Sequence, residues 1–181
     1  MFIWYAPKIN RNPLFTYTQA LKNYAYLFFS FNLLIILCES FPVVIKTFKK
    51  GKILYGIRFQ TQTYSFLKDI QSLFYQNING KLVKYISNEL LLELNLKVLT
   101  FWFSDDGSYE LSGVSFHIQG FTLNDVYKLA GMLHYTFGLK CSIHYKKNNK
   151  GVIYIKAKSM PLFKSLVIPF MHPSMLYKLK M

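Results

Sequence analysis

Apolar and polar positions change period several times along this chain, and each change marks an element. An almost unbroken apolar run from Tyr24 to Cys38, interrupted by Ser30 and Asn32, predicts a buried helix over 20–38. The run is shorter than the roughly 20 apolar residues a membrane span needs, and it ends at Glu39 and Pro42. The period then shortens to two, predicting strands over 42–48 and 53–62 around the basic turn Lys49-Lys50-Gly51-Lys52, followed by a helix over 64–75. A second apolar helical stretch covers 90–104, and residues 114–119 alternate again. Thr122 and Gly138 bracket a helix over 122–137. Strands over 140–145 and 152–158 flank a second basic turn at 146–151, and a helix over 161–170 follows.

These elements repeat. Each copy reads strand, helix, hairpin, helix, with Phe15–Gln19 opening the first and Val114–Gln119 the second. Gln19 is matched with Gln119, and Ile57–Gln62 with Ile153–Lys158. In the hairpins Ile57, Phe59, Ile153 and Ile155 make an apolar face, while Arg58, Gln60, Gln62, Tyr154, Lys156 and Lys158 make a polar one. The expected fold class is α+β: two antiparallel sheets related by a pseudo-twofold axis, backed by helices, their polar faces joined into a basic saddle. The expected division is a first half at 1–80, a linker and the start of a helix at 81–97, and a second half at 98–181. A curved β-ribbon of this kind suits a nucleic-acid groove.

Charge sharpens that reading. Twenty-two Lys and Arg stand against eight Asp and Glu, a net charge of +14 with a pI near 9.7, which favours a polyanionic partner. The candidate contacts are Lys49, Lys50, Lys52, Arg58, Gln60 and Gln62 in the first copy. In the second they are His117, Gln119, Lys146, Lys147, Lys150, Tyr154, Lys156 and Lys158. Arginine occurs only at Arg11 and Arg58, whereas Phe, Tyr, Lys, Asn and Ile abound; A/T-rich codons encode that set, pointing to an organellar gene and the mitochondrial matrix. Cys38 and Cys141 read as buried thiols in a reducing compartment. The four histidines lack metal-ligand spacing, and the N-terminus lacks a signal-peptide pattern.

The densest chemistry lies at Leu99-Thr-Phe-Trp-Phe-Ser-Asp-Asp-Gly-Ser108, an apolar helix end that delivers two carboxylates and stops at a glycine. Divalent metals take hard oxygen ligands of this kind. With Phe116–Leu123, Ala157–Phe163 and His172–Leu179 downstream, and Ile57–Gln62 and Leu73-Phe-Tyr75 upstream, the chain resembles the LAGLIDADG homing endonucleases of the organellar, intron-encoded kind. The resemblance implies two motif helices side by side at the pseudo-twofold axis, each delivering a metal-binding acid. Asp106 corresponds to that acid, with Mg²⁺ as cofactor; Asp105 is its less essential neighbour, and Gly107 a helix-ending residue that tolerates a left-handed backbone. Lys178 corresponds to a lysine near the active centre, and Lys84 or Lys81 to its counterpart from the first half.

One departure shapes the functional expectation. A first motif belongs just before the Phe15 strand, where the chain reads Met1-Phe-Ile-Trp-Tyr-Ala-Pro-Lys8, and the first acid of the sequence is Glu39. Asp106 therefore has no opposing carboxylate here, and two-metal cleavage needs ligands on both sides of the reacting phosphate. The expected function is a cleavage-deficient nucleic-acid-binding protein holding structured RNA, organellar ribosomal RNA or a group I intron, within a larger complex. The alternatives are an active Mg²⁺-dependent endonuclease making double-strand DNA cuts, and a protein–protein scaffold. Met1–Trp4 and protein partners are expected to cover the flank of the motif helix formed by Leu90, Leu91, Leu94, Val98, Phe101 and Trp102. No membrane partner is expected.

Overall fold

The computed structural model describes residues 2–5, 12–49, 51–118, 120–146 and 150–181. The chain divides into two compact units, Met1–Gln71 and Ser72–Met181.

In the first unit, β1 (Phe2–Tyr5), β2 (Leu14–Ala20), β3 (Val43–Lys49) and β4 (Lys52–Gln60) form an antiparallel sheet in the order β1-β2-β4-β3. Helix α1 (Tyr24–Leu34), with a 3-10 turn at each end, covers one face. Alternation sends Phe15, Tyr17, Ile57 and Phe59 to that face, where they are buried with Tyr26, Leu27 and Phe31. The rings of Tyr17 and Phe31 each meet Phe59 edge-on at 5.6 Å. Ser30 sits in this apolar helix because its hydroxyl donates back to the Tyr26 carbonyl at 3.0 Å.

The second unit repeats the plan. Its sheet contains β7 (Gly107–Glu110), β8 (Gly113–His117), β9 (Cys141–Lys146) and β10 (Lys150–Ile155) in the order β7-β8-β10-β9. Helices α4 (Leu96–Asp106), α5 (Leu123–Phe137) and α6 (Met160–Val167) belong to the same unit. Thr122 and Asp125 form a reciprocal capping box at the start of α5, and Gly138 ends it with φ 69°. The α+β class and the duplication are thus both present.

Four expectations require correction. Residues Phe2–Tyr5, for which no regular element was expected, form an edge strand that pairs antiparallel with β2, Phe2 opposite Tyr17 and Tyr5 opposite Leu14. The helix expected over 64–75 shrinks to α2 (Leu67–Ser72), and an unforeseen hairpin follows, β5 (Tyr75–Ile78) and β6 (Lys81–Lys84). Its Asn79-Gly80 turn takes positive φ at both residues, 49° and 79°, the Asn-Gly geometry that matches strand twist. The stretch 90–104 is two helices, because Leu94 turns extended and Asn95 restarts the chain, its side chain accepting from the Lys97 and Val98 amides. Of the flank expected to need cover, α3 (Leu90–Glu93) already buries Leu90, and Leu94 is buried too, while Val98 stays exposed.

The fourth correction concerns the matching of the copies. Tyr17 pairs with Phe59 and Phe116 with Ile153, and all four are buried. After these strands the Gln62 amide donates to Leu37 and the Lys156 amide to Lys140, each just past the covering helix, so Phe59 corresponds to Ile153 and Gln19 to Ile118 rather than to Gln119. Matching by residue type slips the alignment: parity excludes pairing Gln19 with Gln119, and the equivalent bonds after the strands fix the rest.

Candidate nucleic-acid interface and acid centre

Helix α4 is anchored by Leu99, Thr100, Phe103 and Ser104, all buried. The Phe103 ring meets Phe163 at 5.0 Å and Phe116 at 5.9 Å, so both a helix and the sheet hold the last turn in place. Gly107 ends the helix with φ −83°, an extended conformation that does not use the left-handed freedom of glycine. Glycine is needed for space instead, since a Cβ there would collide with the ring and carbonyl of Phe103. Lys178, in the 3-10 segment Pro173–Leu179, donates from Nζ to the carbonyls of Asp105 at 3.1 Å and Gly107 at 3.0 Å. A cation thus satisfies carbonyls that a helix end leaves open.

Asp106 lies half-buried at this junction. Burial pushes its carboxyl above the usual aspartate range, and the positive charges of Lys178, His117 and Lys84 oppose that push. Lys84, one of two residues matched to a lysine of the first half, thus acts on Asp106 from inside the second unit; its Nζ lies 5.3 Å from the Phe121 ring centroid. No group of three His, Cys, Asp or Glu able to cage a metal occurs among the described residues. Mg²⁺ is usually held by one or two carboxylates together with phosphate oxygens and water, so Asp106 fits one ligand position of a metal shared with a bound phosphate.

The outer face of the second sheet carries Ser108, Glu110, Ser115 and His117. Ser108 Oγ lies 2.9 Å from His117 Nε2, Ser115 Oγ donates to Glu110 Oε2 at 2.8 Å, and His117 Nε2 is 3.8 Å from Glu110 Oε1. Tyr154 stacks on His144 at 4.9 Å, 18° from parallel. Glu110, Ser108, Ser115 and His144 escaped the sequence reading. The spacing Ser108-x-Glu110 and Ser115-x-His117 in a short hairpin carried the signal.

In the first sheet Arg58 is exposed, its Nε donating to Thr18 Oγ1 at 3.1 Å, and Gln60 and Lys52 are exposed on β4. Backbone register places Lys49 opposite Lys52 and Lys146 opposite Lys150 at the hairpin ends. Lys50, Gln119 and Lys147 lie outside the described residues. Gln62, Lys156 and Lys158 do not extend the strand faces. Gln62 follows β4 and donates its amide to Leu37, Lys156 follows β10 and donates its amide to Lys140, and Lys158 sits in a 3-10 turn. β4 and β10 end at Gln60 and Ile155, so the paired strand faces stop short of these residues.

A duplicated α+β fold with an acid at the end of its motif helix defines a class, and the sequence agrees. The chain belongs to the LAGLIDADG DNA endonuclease family, matched over residues 5–163. It is 36% identical over 171 residues to the cytochrome b mRNA maturase bI2 of Saccharomyces cerevisiae, covering 90% of this chain and 40% of that protein. It is 39% identical over 124 residues to the intron-encoded endonuclease ai4 of Dictyostelium discoideum, covering 67% of this chain and 75% of that one. The chain thus spans about two fifths of the yeast maturase it matches. Among solved structures, the homing endonuclease I-WcaI bound to its DNA recognition sequence superposes with a TM-score of 0.86 at 28% identity, covering 98% of this chain and 80% of that one. No described helix is long and apolar enough to cross a membrane.

Proposed function

We propose that these 181 residues form a nucleic-acid-binding protein that grips structured RNA, a group I intron or organellar ribosomal RNA, and contributes one acid of a two-acid metal centre. The observation that carries this reading is the α4–β7 junction, where Asp106 is held beside Lys178 at the end of a rigid helix. Among the described residues no other helix ends in an acid pair of this kind. A bound Mg²⁺ would supply charge neutralisation at a phosphate and a more acidic water. The chain's own residues would do the rest: Asp106 offers one oxygen ligand, Lys178 holds the helix end, and Lys84 and His117 favour the ionised carboxylate. Arg58, Lys52 and Gln60 on one sheet, and His117 and Tyr154 on the other, supply phosphate and base contacts. RNA as partner is supported by the likeness to an mRNA maturase across nine tenths of the chain. The codon-biased composition and the intron-encoded relatives support an organellar gene and action in the mitochondrial matrix.

A second reading, DNA cleavage, is favoured by the likeness to a homing endonuclease solved on its DNA site. It requires a second acid, from another segment or another molecule. The two separate in one experiment: an intron transcript and a pool of long duplex DNA, each with Mg²⁺, titrated with protein at several salt concentrations. Binding to the transcript that falls steeply with salt, weakens in Arg58→Glu and persists in Asp106→Asn is expected. Mg²⁺-dependent double-strand scission by these residues, abolished in Asp106→Asn, would overturn the RNA reading.

A further inference from the structure

The two hairpins differ in length. Val44 opposite Ile57 corresponds to Tyr145 opposite Gly151, by the register that aligns Phe59 with Ile153. Beyond that point the second hairpin adds one pair, Lys146 with Lys150, whereas the first adds every pair from Ile45–Gly56 to Lys49–Lys52. In the second unit the covering helix reaches this region, since a Cβ on Gly151 would lie 3.0 Å from Val126 of α5. In the first the strands continue past it.

Parity determines what the extension shows. Ile57 faces α1, so Tyr55 and Ile53 lie on the same side, with Val44, Lys46 and Phe48 opposite them on β3. This side is apolar by sequence yet open: Val44 is 61% exposed, Phe48 74%, Tyr55 54% and Ile53 45%. Contiguous exposed apolar side chains of this kind are a candidate binding surface. Its charge indicates the partner. Residues 40–68 contain no Asp or Glu, and Lys46 stands directly across from Tyr55 on the same face. Lysine is depleted from protein–protein interfaces. Two exposed aromatic rings flanking a lysine, on a segment without acids, instead match a platform for unpaired bases with their phosphates neutralised alongside.

We infer that the helix-side face of the β3–β4 extension, built on Phe48, Tyr55 and Lys46, is a second nucleic-acid site that takes single-stranded RNA by base stacking. It lies on the opposite side of the sheet from Arg58 and Gln60. The inference deepens the RNA reading above, and the two can fail separately because they use opposite faces.

The test uses a labelled oligouridylate of about ten nucleotides, a site length typical of stacking grooves, beside a structured intron transcript, with binding read by fluorescence anisotropy at moderate salt. Phe48→Ala with Tyr55→Ala should weaken oligouridylate binding about tenfold or more and change transcript affinity much less. Arg58→Glu should do the reverse. Both side chains are exposed, and unchanged thermal melting will confirm that the variant folds. Oligouridylate affinity within about twofold of the native value in the double variant would overturn the inference, since one lost stacking contact alone exceeds that. So would no oligouridylate binding at all, or sedimentation showing that the double variant abolishes a self-associated form, which would assign the face to a second copy of the chain. Transcript affinity unchanged in Arg58→Glu, with oligouridylate binding still weakened in the double variant, would instead overturn the outer-face reading.

Discussion

Lys178 donates its ammonium to the Gly107 carbonyl at 3.0 Å, tying the C-terminal 3-10 segment to the residue that ends the motif helix. The same Nζ reaches the Asp105 carbonyl at 3.1 Å, so one lysine closes the helix that carries Asp106. Lys178→Met keeps the aliphatic stem and removes both charge-assisted bonds. A loss of about 1.5–3 kcal/mol in urea unfolding is expected. Removing that positive charge should also move the Asp106 carboxyl further above its ordinary range, read by NMR titration.

Asp106 itself should make stability depend on pH with an unusual sign. Burial raises its carboxyl in the folded chain, so the folded state holds a proton more tightly than the unfolded state does. That contribution is fully present below the ordinary aspartate value and is lost as pH rises through the raised folded one. Asp106→Asn cannot ionise and keeps the contribution at neutral pH. Thermal melts from acid to neutral pH should therefore show the variant gaining on the native protein as pH rises. A constant difference between the two curves would contradict the burial argument.

Two glycines that look alike in sequence should respond for different reasons. Gly107 has an ordinary backbone but no room, so Gly107→Ala should displace Phe103 and cost about 1–3 kcal/mol through overpacking. Gly138 has φ 69°, and a methyl added there would meet only Leu162, at 3.8 Å. Gly138→Ala should cost about 1–2 kcal/mol from the left-handed backbone alone. A crystal structure of the Gly107→Ala protein should show the Phe103 ring shifted, while the Gly138→Ala core stays in place.

Asp125 is a polar keystone of the second unit. It is 5% exposed, accepts the Ile86 amide at 3.0 Å, and completes the capping box with Thr122. Asp125→Ala removes a cap and strands a buried amide, for an expected loss of about 2–4 kcal/mol. Thr122→Ala loses only the cap, about 1 kcal/mol. Hydrogen exchange at Ile86 should accelerate in the first variant and not in the second.

Cys141 should be chemically quiet. Burial pushes its thiol up to about 11, against a smaller opposing effect of Lys156. The thiolate is the reactive form, so alkylation near pH 8 should be slow until the protein unfolds. Stopped-time labelling with and without urea measures this.

Much of this protein follows from local pattern. The helix between Thr122 and Gly138, the two basic hairpins and the repeated order of elements were legible because caps, turns and period-two alternation act over a few residues. The motif helix end at Asp106 and Gly107 was legible for the same reason. Other features required the assembled units. Whether Gln19 or Tyr17 matches the second copy depended on which side of a strand found a core. Gly107 is demanded by a ring placed from four residues upstream, and Lys178 reaches the helix end from more than seventy residues away, a meeting no spacing rule anticipates. Glu110 and His117 come together only when β7 folds back on β8. Sequence determined the elements because their signals are short-ranged; tertiary structure decided the register and the surroundings of the acid, because those depend on which distant side chains compete for the same space.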